Sequence, residues 1–326
     1  MADHDGASGA LPGTLLGLDF SCAPSPRKPL TLAWGRRSGA VVKLDRLDEI
    51  TTLAGLAQVL LSTHDVLAAC DFPFGLPRPF VQALCDQPPD DFPADHLAAL
   101  RQSIHRQTPG PATCAADTLI HALHAHCHDR AGFQKLVDGW GQTWDLRRGD
   151  GPKLLHRPTD TAVPGISSTS PLQTRYVPVG KMYFEGLIRL VQAGFSLPGL
   201  RHGRPDALAF EAYPGFLSGE VLGRRSYKSD ATAPPEQQHA RLIARMDLVD
   251  ALEQGRTRLN LRLKLTPGQR DFLVSDAKGD RLDAALCLVQ AAWAQRQGEE
   301  EGEKSTTHSW GLPKAVDPIE GWILTA

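Results

Sequence analysis

The sequence predicts an α/β fold in which a mixed β-sheet is flanked by helices. Three short apolar segments, at 14–21, 29–35 and 40–44, are separated by glycines and prolines, which is typical of strands joined by turns. A helical pattern and a further apolar segment at 65–71 follow them. The order β-β-β-α-β favours a mixed sheet covered by helices, because turns join antiparallel strands and helical crossovers join parallel ones.

The individual elements follow from local patterns. Asp48 is expected to cap the first helix, since apolar residues from Ile50 to Leu61 recur at helical spacing. The next strand ends at Asp71, where Pro73 indicates a turn. In the second half of the chain the patterns predict helices at 181–193, at 235–253, after 266 and from 280 to about 295, a strand at 207–213, and a terminal strand or docking segment at 319–324.

One domain, 14–326, is expected after a disordered leader at 1–13. The region of about 85–180 is rich in Pro, His, Gln and Gly and predicts helices and long loops inserted into the sheet domain. Long structured loops of this kind often carry substrate contacts. The charged segment 297–307 is expected to be a solvated link.

Composition limits the classes of function. The chain has 326 residues, of which 41% are hydrophobic, enough for a large core. Its formal charge of -2 provides no global basic field, so a nucleic acid would have to be held locally. Six cysteines without a C-x-x-C pair favour free thiols in a reducing compartment. With no signal-peptide pattern and no long apolar run, a cytoplasmic protein without a membrane partner is expected, and its oligomeric state stays open.

Five acidic residues stand next to or inside apolar segments. Asp19 ends the first strand, Asp71 ends the strand at 65–71, Glu211 follows the apolar run 207–210, and Asp280 and Asp283 begin a helical pattern. Burying an unpaired carboxylate costs several kcal/mol unless a cation or a hydrogen-bond donor compensates for it. We therefore expect these acids to converge on a divalent metal ion.

Carboxylates suit Mg²⁺ or Mn²⁺, and two-metal phosphoryl transfer uses three or four of them. Asp280 and Asp283 share one helix face, where a cation would relieve their repulsion. Each acid also has a simpler explanation: Asp280 as a helix N-cap, Asp19 as the partner of an arginine, and Asp71 as the first residue of a turn.

Five short motifs occur in a fixed order along the chain. They are GLDFS at 17–21, DFPFGLP at 71–77, EAYP at 211–214, D-x-x-DA at 280–284 and EGWI at 320–323. In the order and spacing of these motifs, the sequence resembles the family of predicted RNase H-like nucleases described as domain of unknown function 429 (DUF429). The resemblance extends from about residue 14 to the end of the sequence. The resemblance implies an RNase H-like mixed sheet and a metal-dependent nuclease.

The resemblance also implies roles for the acids. In such folds one acid lies on the first strand, another follows the fourth strand, and the last helix supplies one or two. Asp19, Asp71, Asp280 and Asp283 are accordingly the expected ligands of Mg²⁺ or Mn²⁺. Asp19, Asp71, Asp283 and, as a further candidate, Glu211 are the expected catalytic residues.

Basic residues in loops and at a helix start are candidates for binding the phosphates of a nucleic acid. They are Arg27 and Lys28 after the first strand, Arg147, Arg148, Lys153 and Arg157 in the insertion, and Lys181 at the start of a helix, with Tyr227 and Lys228 as weaker candidates.

Other functions remain open from the sequence. One is a nucleic-acid- or protein-binding module on the same fold that lacks turnover. Another is a phosphotransferase of the actin-like or sugar-kinase type, although 19–21 lacks the Gly and Thr of a phosphate-binding turn. His121, His124 and His128 share one face of a predicted helix, which suits either zinc or a polar, solvent-facing helix.

Overall fold

The computed structural model describes residues 11–85, 100, 102, 116–229, 232–302 and 309–326. Its strands are β1 (Thr14–Asp19), β2 (Leu30–Ser38), β3 (Val41–Ile50), β4 (Val66–Cys70), β5 (Phe195–Ser196), β6 (Arg204–Glu211) and β7 (Arg262–Lys264). Its helices are α1 (Leu53–Ser62), α2 (Arg78–Cys85), α3 (Ala116–Cys127), α4 (Arg130–Arg147), α5 (Val179–Gln192), α6 (Pro214–Leu222), α7 (Pro235–Gln254), α8 (Pro267–Ser275) and α9 (Asp280–Gly302), with a 3-10 turn at Pro158–Thr161.

The strands form a mixed sheet in the order β5-β6-β4-β1-β2-β3-β7. The hairpins β1-β2 and β2-β3 are antiparallel, whereas β4 lies parallel to both β1 and β6. The α/β fold with a mixed sheet predicted from the order of elements is thereby confirmed. The physical reason is the connections between the strands: a loop at 20–29 and a tight turn at 39–40 join the first three strands as antiparallel neighbours, and β4 returns beside β1 through α1.

The cap predicted at Asp48 is wrong. The strand β3 continues to Ile50, and Asp48 pairs opposite Leu32 within it. The helix begins after Thr52, whose side chain accepts a hydrogen bond from the Gly55 backbone N–H. The second half of β3 is charged, and its Arg46 pairs with Asp48 at 3.0 Å. One face of an antiparallel hairpin can be polar and exposed to solvent. A prediction based on apolar residues therefore ended this strand at residue 44, although β3 continues to Ile50.

Helices cover both faces of the sheet. Leu16 and Leu18 of β1 pack into the layer that contains α1 to α5, whereas Leu15 packs into the layer that contains α6 to α9. The two layers follow from the alternation of side chains along a strand. Among the helices that the structure describes, none combines the length and the apolar character needed to cross a membrane.

The helix α9 lies against β1, β2 and β4. Its residues from Ala284 to Val289 are all buried, so it is apolar around its whole circumference rather than on one side. It reaches the sheet closely because β1 contains Gly17. A Cβ built on Gly17 would come closer than 3.0 Å to the backbone O of Ala284 and the backbone N of Leu288. Glycine is therefore what lets α9 rest directly on the first strand.

The described part of the predicted insertion contains the helices α3 and α4 and a long loop at 148–178 that includes the 3-10 turn, and its helices pack into the layer of α5. Trp140 of α4 is buried, in edge contact with Phe80 and stacked on Trp144, so it packs in the core. His124 stacks on Phe184 with ring centroids 3.7 Å apart, so α3 is not simply a solvent-facing helix. The remainder of the insertion, at 86–99, 101 and 103–115, lies outside the described residues.

The ends of the chain differ partly from expectation. Residues 1–10 of the predicted leader lie outside the described range, but Pro12 and Gly13 bond to the folded chain through Gln295 and Asp65. The last helix extends to Gly302, so the first part of the predicted link is helical, and 303–308 are not described. The terminal segment docks through a β-bridge between Ile323 and Glu211 and through further hydrogen bonds, among them one from the Leu76 N–H to the Ile319 carbonyl at 3.1 Å.

Candidate metal centre

Three aspartates converge at one edge of the sheet. Asp19 is the last residue of β1, Asp71 directly follows β4, and Asp283 lies in the first turn of α9. One carboxylate oxygen from each lies within 4.8 Å of the others. Among the residues that the structure describes, this is the group of His, Cys, Asp or Glu side chains spaced to share a metal ion. The histidines of α3 do not belong to it.

The strand register explains why Asp19 and Asp71 meet. The strands β1 and β4 are parallel neighbours in which Gly17 pairs with Ala69, and the Asp71 N–H donates to the Leu18 carbonyl at 2.9 Å. Asp19 and Asp71 each stand two residues beyond that pair, so their side chains leave the sheet on the same face. That face is the one covered by α9.

The same alternation of side chains along a strand places Glu211 on the opposite face of the sheet. It is the register partner of Cys70, one residue before Asp71, and it therefore points into the other layer. There the Arg157 guanidinium donates to both of its carboxylate oxygens, at 2.8 and 2.5 Å. The same guanidinium donates to Asp160 at 2.8 Å, and the Phe74 N–H donates to Glu211 at 2.9 Å. Glu211 is thus compensated by an ion pair and does not share the group of three aspartates.

Arg157 is a residue whose role the sequence did not indicate. It was expected to face phosphates, yet its side chain is only 1% exposed. Burial opposes its charge, but Glu211 and Asp160 beside it raise its pKa. It also donates to the carbonyl of Glu320 at 2.9 Å. The ion pair therefore ties together the motifs around Gly75, Glu211 and Glu320 and serves to join segments of the fold.

The charges of the three aspartates are mutually unfavourable. Burial, followed by the charges of Asp283 and Asp71, raises the pKa of Asp19 well above its usual range. Burial and Asp283 likewise raise the pKa of Asp71 to about 7. A divalent cation between the oxygens would relieve this repulsion, and an all-oxygen donor set suits Mg²⁺ or Mn²⁺ better than softer metals. The residues present therefore fit such an ion.

Tyr227 and Lys228 hold Asp283. The Tyr227 hydroxyl donates to one of its carboxylate oxygens and the Lys228 ammonium donates to the other. The charge of Lys228 also lowers the pKa of both Asp19 and Asp71, although burial and the acids raise them overall. The sequence indicated Lys228 only as a weak phosphate-binding candidate, because nothing local shows that it meets α9.

Asp280 lies one turn before Asp283, outside the group of three. It is the first residue of α9, and the carboxylate that accepts from the Arg281 N–H, at 3.0 Å, belongs to Asp276. Burial, followed by the charge of Asp276, raises the pKa of Asp280. Asp280 is therefore neither a member of the converging group nor the residue that makes this cap contact.

The expected phosphate-binding residues are dispersed. Arg27 and Lys28 are exposed between β1 and β2, and Lys28 is close enough to Asp280 to lower the pKa of its carboxyl. Arg147 is exposed at the end of α4, and Arg148 pairs with Asp145 at 2.8 Å. Burial raises the pKa of the Cys22 thiol, and the positive charge of Lys181 partly opposes this shift.

A cavity of about 210 Å³ adjoins the aspartates. Asp71 and Lys228 lie in its wall, together with Thr169, Val179, Met182 and Tyr213. Of the three converging aspartates, Asp71 is the one that lines it, and the ion pair of Arg157 and Glu211 lines it as well.

Comparison of the chain with protein-family models, curated proteins and solved structures returns no match. The fold and the site therefore define its class by themselves. It is a mixed α/β protein with three converging aspartates at the ends of two parallel strands and the start of the helix that covers them.

The raised pKa of Asp71 predicts that the metal-free protein loses stability as pH rises. Its carboxyl has a pKa of about 7 when folded and an ordinary value of 3.8. Between these values the folded state binds more protons than the unfolded chain, so the free energy of unfolding decreases with increasing pH. Because the pKa of Asp19 is raised as well, we expect Asp71→Asn to remove part of this slope and to raise the free energy of unfolding at about pH 8 by roughly 1–3 kcal/mol.

Urea denaturation in EDTA at about pH 5 and about pH 8 measures this slope. The matched control is Asp271→Asn, which alters an exposed aspartate of α8 and is expected to keep the wild-type slope. Equal slopes in the wild type and Asp71→Asn contradict the prediction.

Proposed function

We propose that the protein hydrolyses phosphodiester bonds of nucleic acid with Mg²⁺ or Mn²⁺ held by Asp19, Asp71 and Asp283. The observation that carries the proposal is the convergence of three carboxylates, from three separate elements, to within 4.8 Å. Such a grouping raises the free energy of the folded protein unless cations compensate for it, and Lys228 supplies one positive charge to three carboxylates, so a divalent ion is the simplest further compensation. The resemblance of five ordered motifs to the predicted RNase H-like nucleases of DUF429 supports the same activity.

Each residue of the proposed site has a distinct role in holding the metal ion or the substrate. When bound, a divalent ion would polarise a phosphoryl oxygen and lower the pKa of a water molecule. Asp19 and Asp71 extend from the ends of paired strands, so the sheet fixes the separation of their carboxylates. Asp283 is oriented by the Tyr227 hydroxyl. Lys228 adds a positive charge next to Asp283, in the wall of the cavity through which a phosphate would approach.

The proposal also includes the location and the partner. A cytoplasmic location is supported by the free thiols of Cys22, Cys70, Cys127 and Cys287, because a reducing compartment keeps thiols unpaired. Nucleic acid is the proposed substrate. Among the expected phosphate-binding residues, Lys28 lies near enough to Asp280 for its charge to lower the pKa of that carboxyl, and it is therefore the one proposed to contact phosphate beside the site.

Asp19→Asn is the direct test. The wild type with Mn²⁺ is expected to cleave single- or double-stranded DNA or RNA, and the variant is expected to lose cleavage by at least roughly 100-fold, above the effect of removing an outer-shell partner. Cleavage of labelled oligonucleotides measures the activity, and thermal unfolding in EDTA is expected to show no loss of stability in the variant. Asp271→Asn, an exposed aspartate, is the matched control.

The alternatives give different outcomes in the same experiments. Salt-sensitive binding of oligonucleotides without any product would indicate a binding module. Stabilisation by ATP with Mg²⁺ would indicate a phosphotransferase. Full activity of Asp19→Asn would contradict the proposed role of the aspartates.

A further inference from the structure

Lys228 compensates the charge of the aspartate group in the absence of a metal. Its ammonium donates a hydrogen bond to Asp283, and its positive charge acts to lower the pKa values of Asp19, Asp71 and Asp280. The two partners differ in exposure: the side chain of Asp283 is 1% exposed and that of Lys228 is 49% exposed. The carboxylate is therefore fixed in the interior, whereas the ammonium approaches it from the solvent side.

The backbone around Lys228 is anchored, but its side chain is not enclosed. Arg245 donates to the carbonyl of Tyr227 at 2.7 Å, and the Ser229 N–H donates to the carbonyl of Ala277 at 2.7 Å. These contacts tie the segment to α7 and to the turn before α9. The four-carbon stem of Lys228 can still rotate about this fixed point, and the side chain already lines the cavity next to Asp71.

We propose that Lys228 is the resident cation of the metal-free site, that a divalent ion displaces its ammonium from Asp283, and that the displaced ammonium then binds a phosphoryl oxygen in the adjoining cavity. This inference rests on the proposed function, because it assigns to the same site the way in which it exchanges cations and recognises the anionic group of its substrate.

Electrostatics favours the exchange. The ionised form of the three aspartates, which a bound divalent ion stabilises, carries a charge of about -3, and the ion reduces that charge to about -1. Once the ion is bound, the attraction that held the ammonium at Asp283 is therefore much weaker. A divalent ion also repels the ammonium twice as strongly as a monovalent cation would at the same distance. The ammonium therefore gains by moving away from the ion towards a new anion.

The volume of the adjoining cavity limits the size of the anion that the displaced ammonium can bind. Its volume is about 210 Å³, whereas sites that enclose a drug-sized ligand usually have roughly 300–1,000 Å³. It has room for a phosphoryl group and part of the ester attached to it. Its wall also contains the ion pair of Arg157 and Glu211, whose charges offset each other, and the polar residues Thr169 and Tyr213. The cavity therefore accommodates a group of the size of a single phosphate beside Asp71 and Lys228.

Mn²⁺ binding, measured by isothermal titration calorimetry without substrate, tests the exchange. Removing the competing ammonium in Lys228→Met is expected to tighten Mn²⁺ binding by at least about tenfold. Lys228→Gln, which keeps a hydrogen-bond donor for Asp283, is expected to change the affinity in the same direction and covers the case in which Lys228→Met fails to fold. Lys228→Arg keeps the charge and is expected to stay near the wild type. Lys264→Met, at an exposed position of β7, is the matched control for loss of one positive charge.

Inorganic phosphate, titrated into the Mn²⁺-loaded proteins, tests the second half of the inference. Lys228→Met and Lys228→Gln are expected to bind phosphate at least about tenfold more weakly than the wild type, because they lack the ammonium. Unchanged or weaker Mn²⁺ binding in both neutral variants overturns the inference while leaving the metal site intact, as does unchanged phosphate binding. Absence of Mn²⁺ binding in every protein, the wild type included, overturns the proposed function and the inference with it.

Discussion

Arg157→Met is expected to lower the free energy of unfolding by roughly 3–5 kcal/mol, because breaking a buried ion pair from one side leaves charges without compensation. In the wild type the guanidinium contacts both Glu211 and Asp160, all three side chains being at most 3% exposed. Methionine has a similar length but offers no donor to either carboxylate. Urea denaturation at neutral pH measures the loss.

Two further variants make this prediction specific. Glu211→Gln combined with Arg157→Met is expected to recover part of the stability, since one buried charge is removed together with its partner. Arg147→Met, which replaces an exposed arginine at the end of α4, is the matched control and is expected to stay within about 0.5 kcal/mol of the wild type. The double variant is also expected to bind Mn²⁺ as the wild type does, because Glu211 is not among the three converging aspartates. Wild-type stability of Arg157→Met would contradict the structural role of the ion pair.

Gly17→Ala is expected to cost at least the upper end of the roughly 1–3 kcal/mol typical of overpacking. The added Cβ would come closer than 3.0 Å to the backbone of Ala284 and Leu288, and backbone atoms cannot rotate away as a side chain can. The helix α9 must therefore move off β1. Since Asp283 directly precedes Ala284, the same movement separates Asp283 from Asp19, and Mn²⁺ binding is expected to weaken together with stability.

Urea denaturation and calorimetric titration of Mn²⁺ measure the two effects on the same protein. The control is Gly139→Ala in α4, where an added Cβ has no neighbour within 4 Å. That substitution is expected to be neutral or to stabilise the helix by about 0.5–1 kcal/mol. If Gly17→Ala keeps the wild-type affinity for Mn²⁺ while it loses stability, the position of α9 does not control the site.

Several features were determined by local sequence. The apolar segments of β1 and β4 ended at acids, and the strongly apolar stretch that became α9 began at an acid, so Asp19, Asp71 and Asp283 were recognisable as acids in unusual settings. The order of strands and helices was equally local, because each element carries its own period and its own turns. Together these features predicted a mixed sheet and an acidic site at its edge.

Only the tertiary structure decided which acids meet. Glu211 stands at a strand end like Asp71, but the pairing of β6 with β4 aligns it with Cys70 and turns it towards Arg157, 54 residues away in sequence. Lys228 joins the site because the segment after α6 is anchored to α7 and to the turn before α9. Strand register and long-range ion pairs depend on which surfaces pack together, and a side chain one residue out of step points to the other face of the sheet. For this reason the sequence by itself determined β1 to β4, β6 and the acids near their ends, whereas packing determined the short strands β5 and β7 and how those acids are compensated.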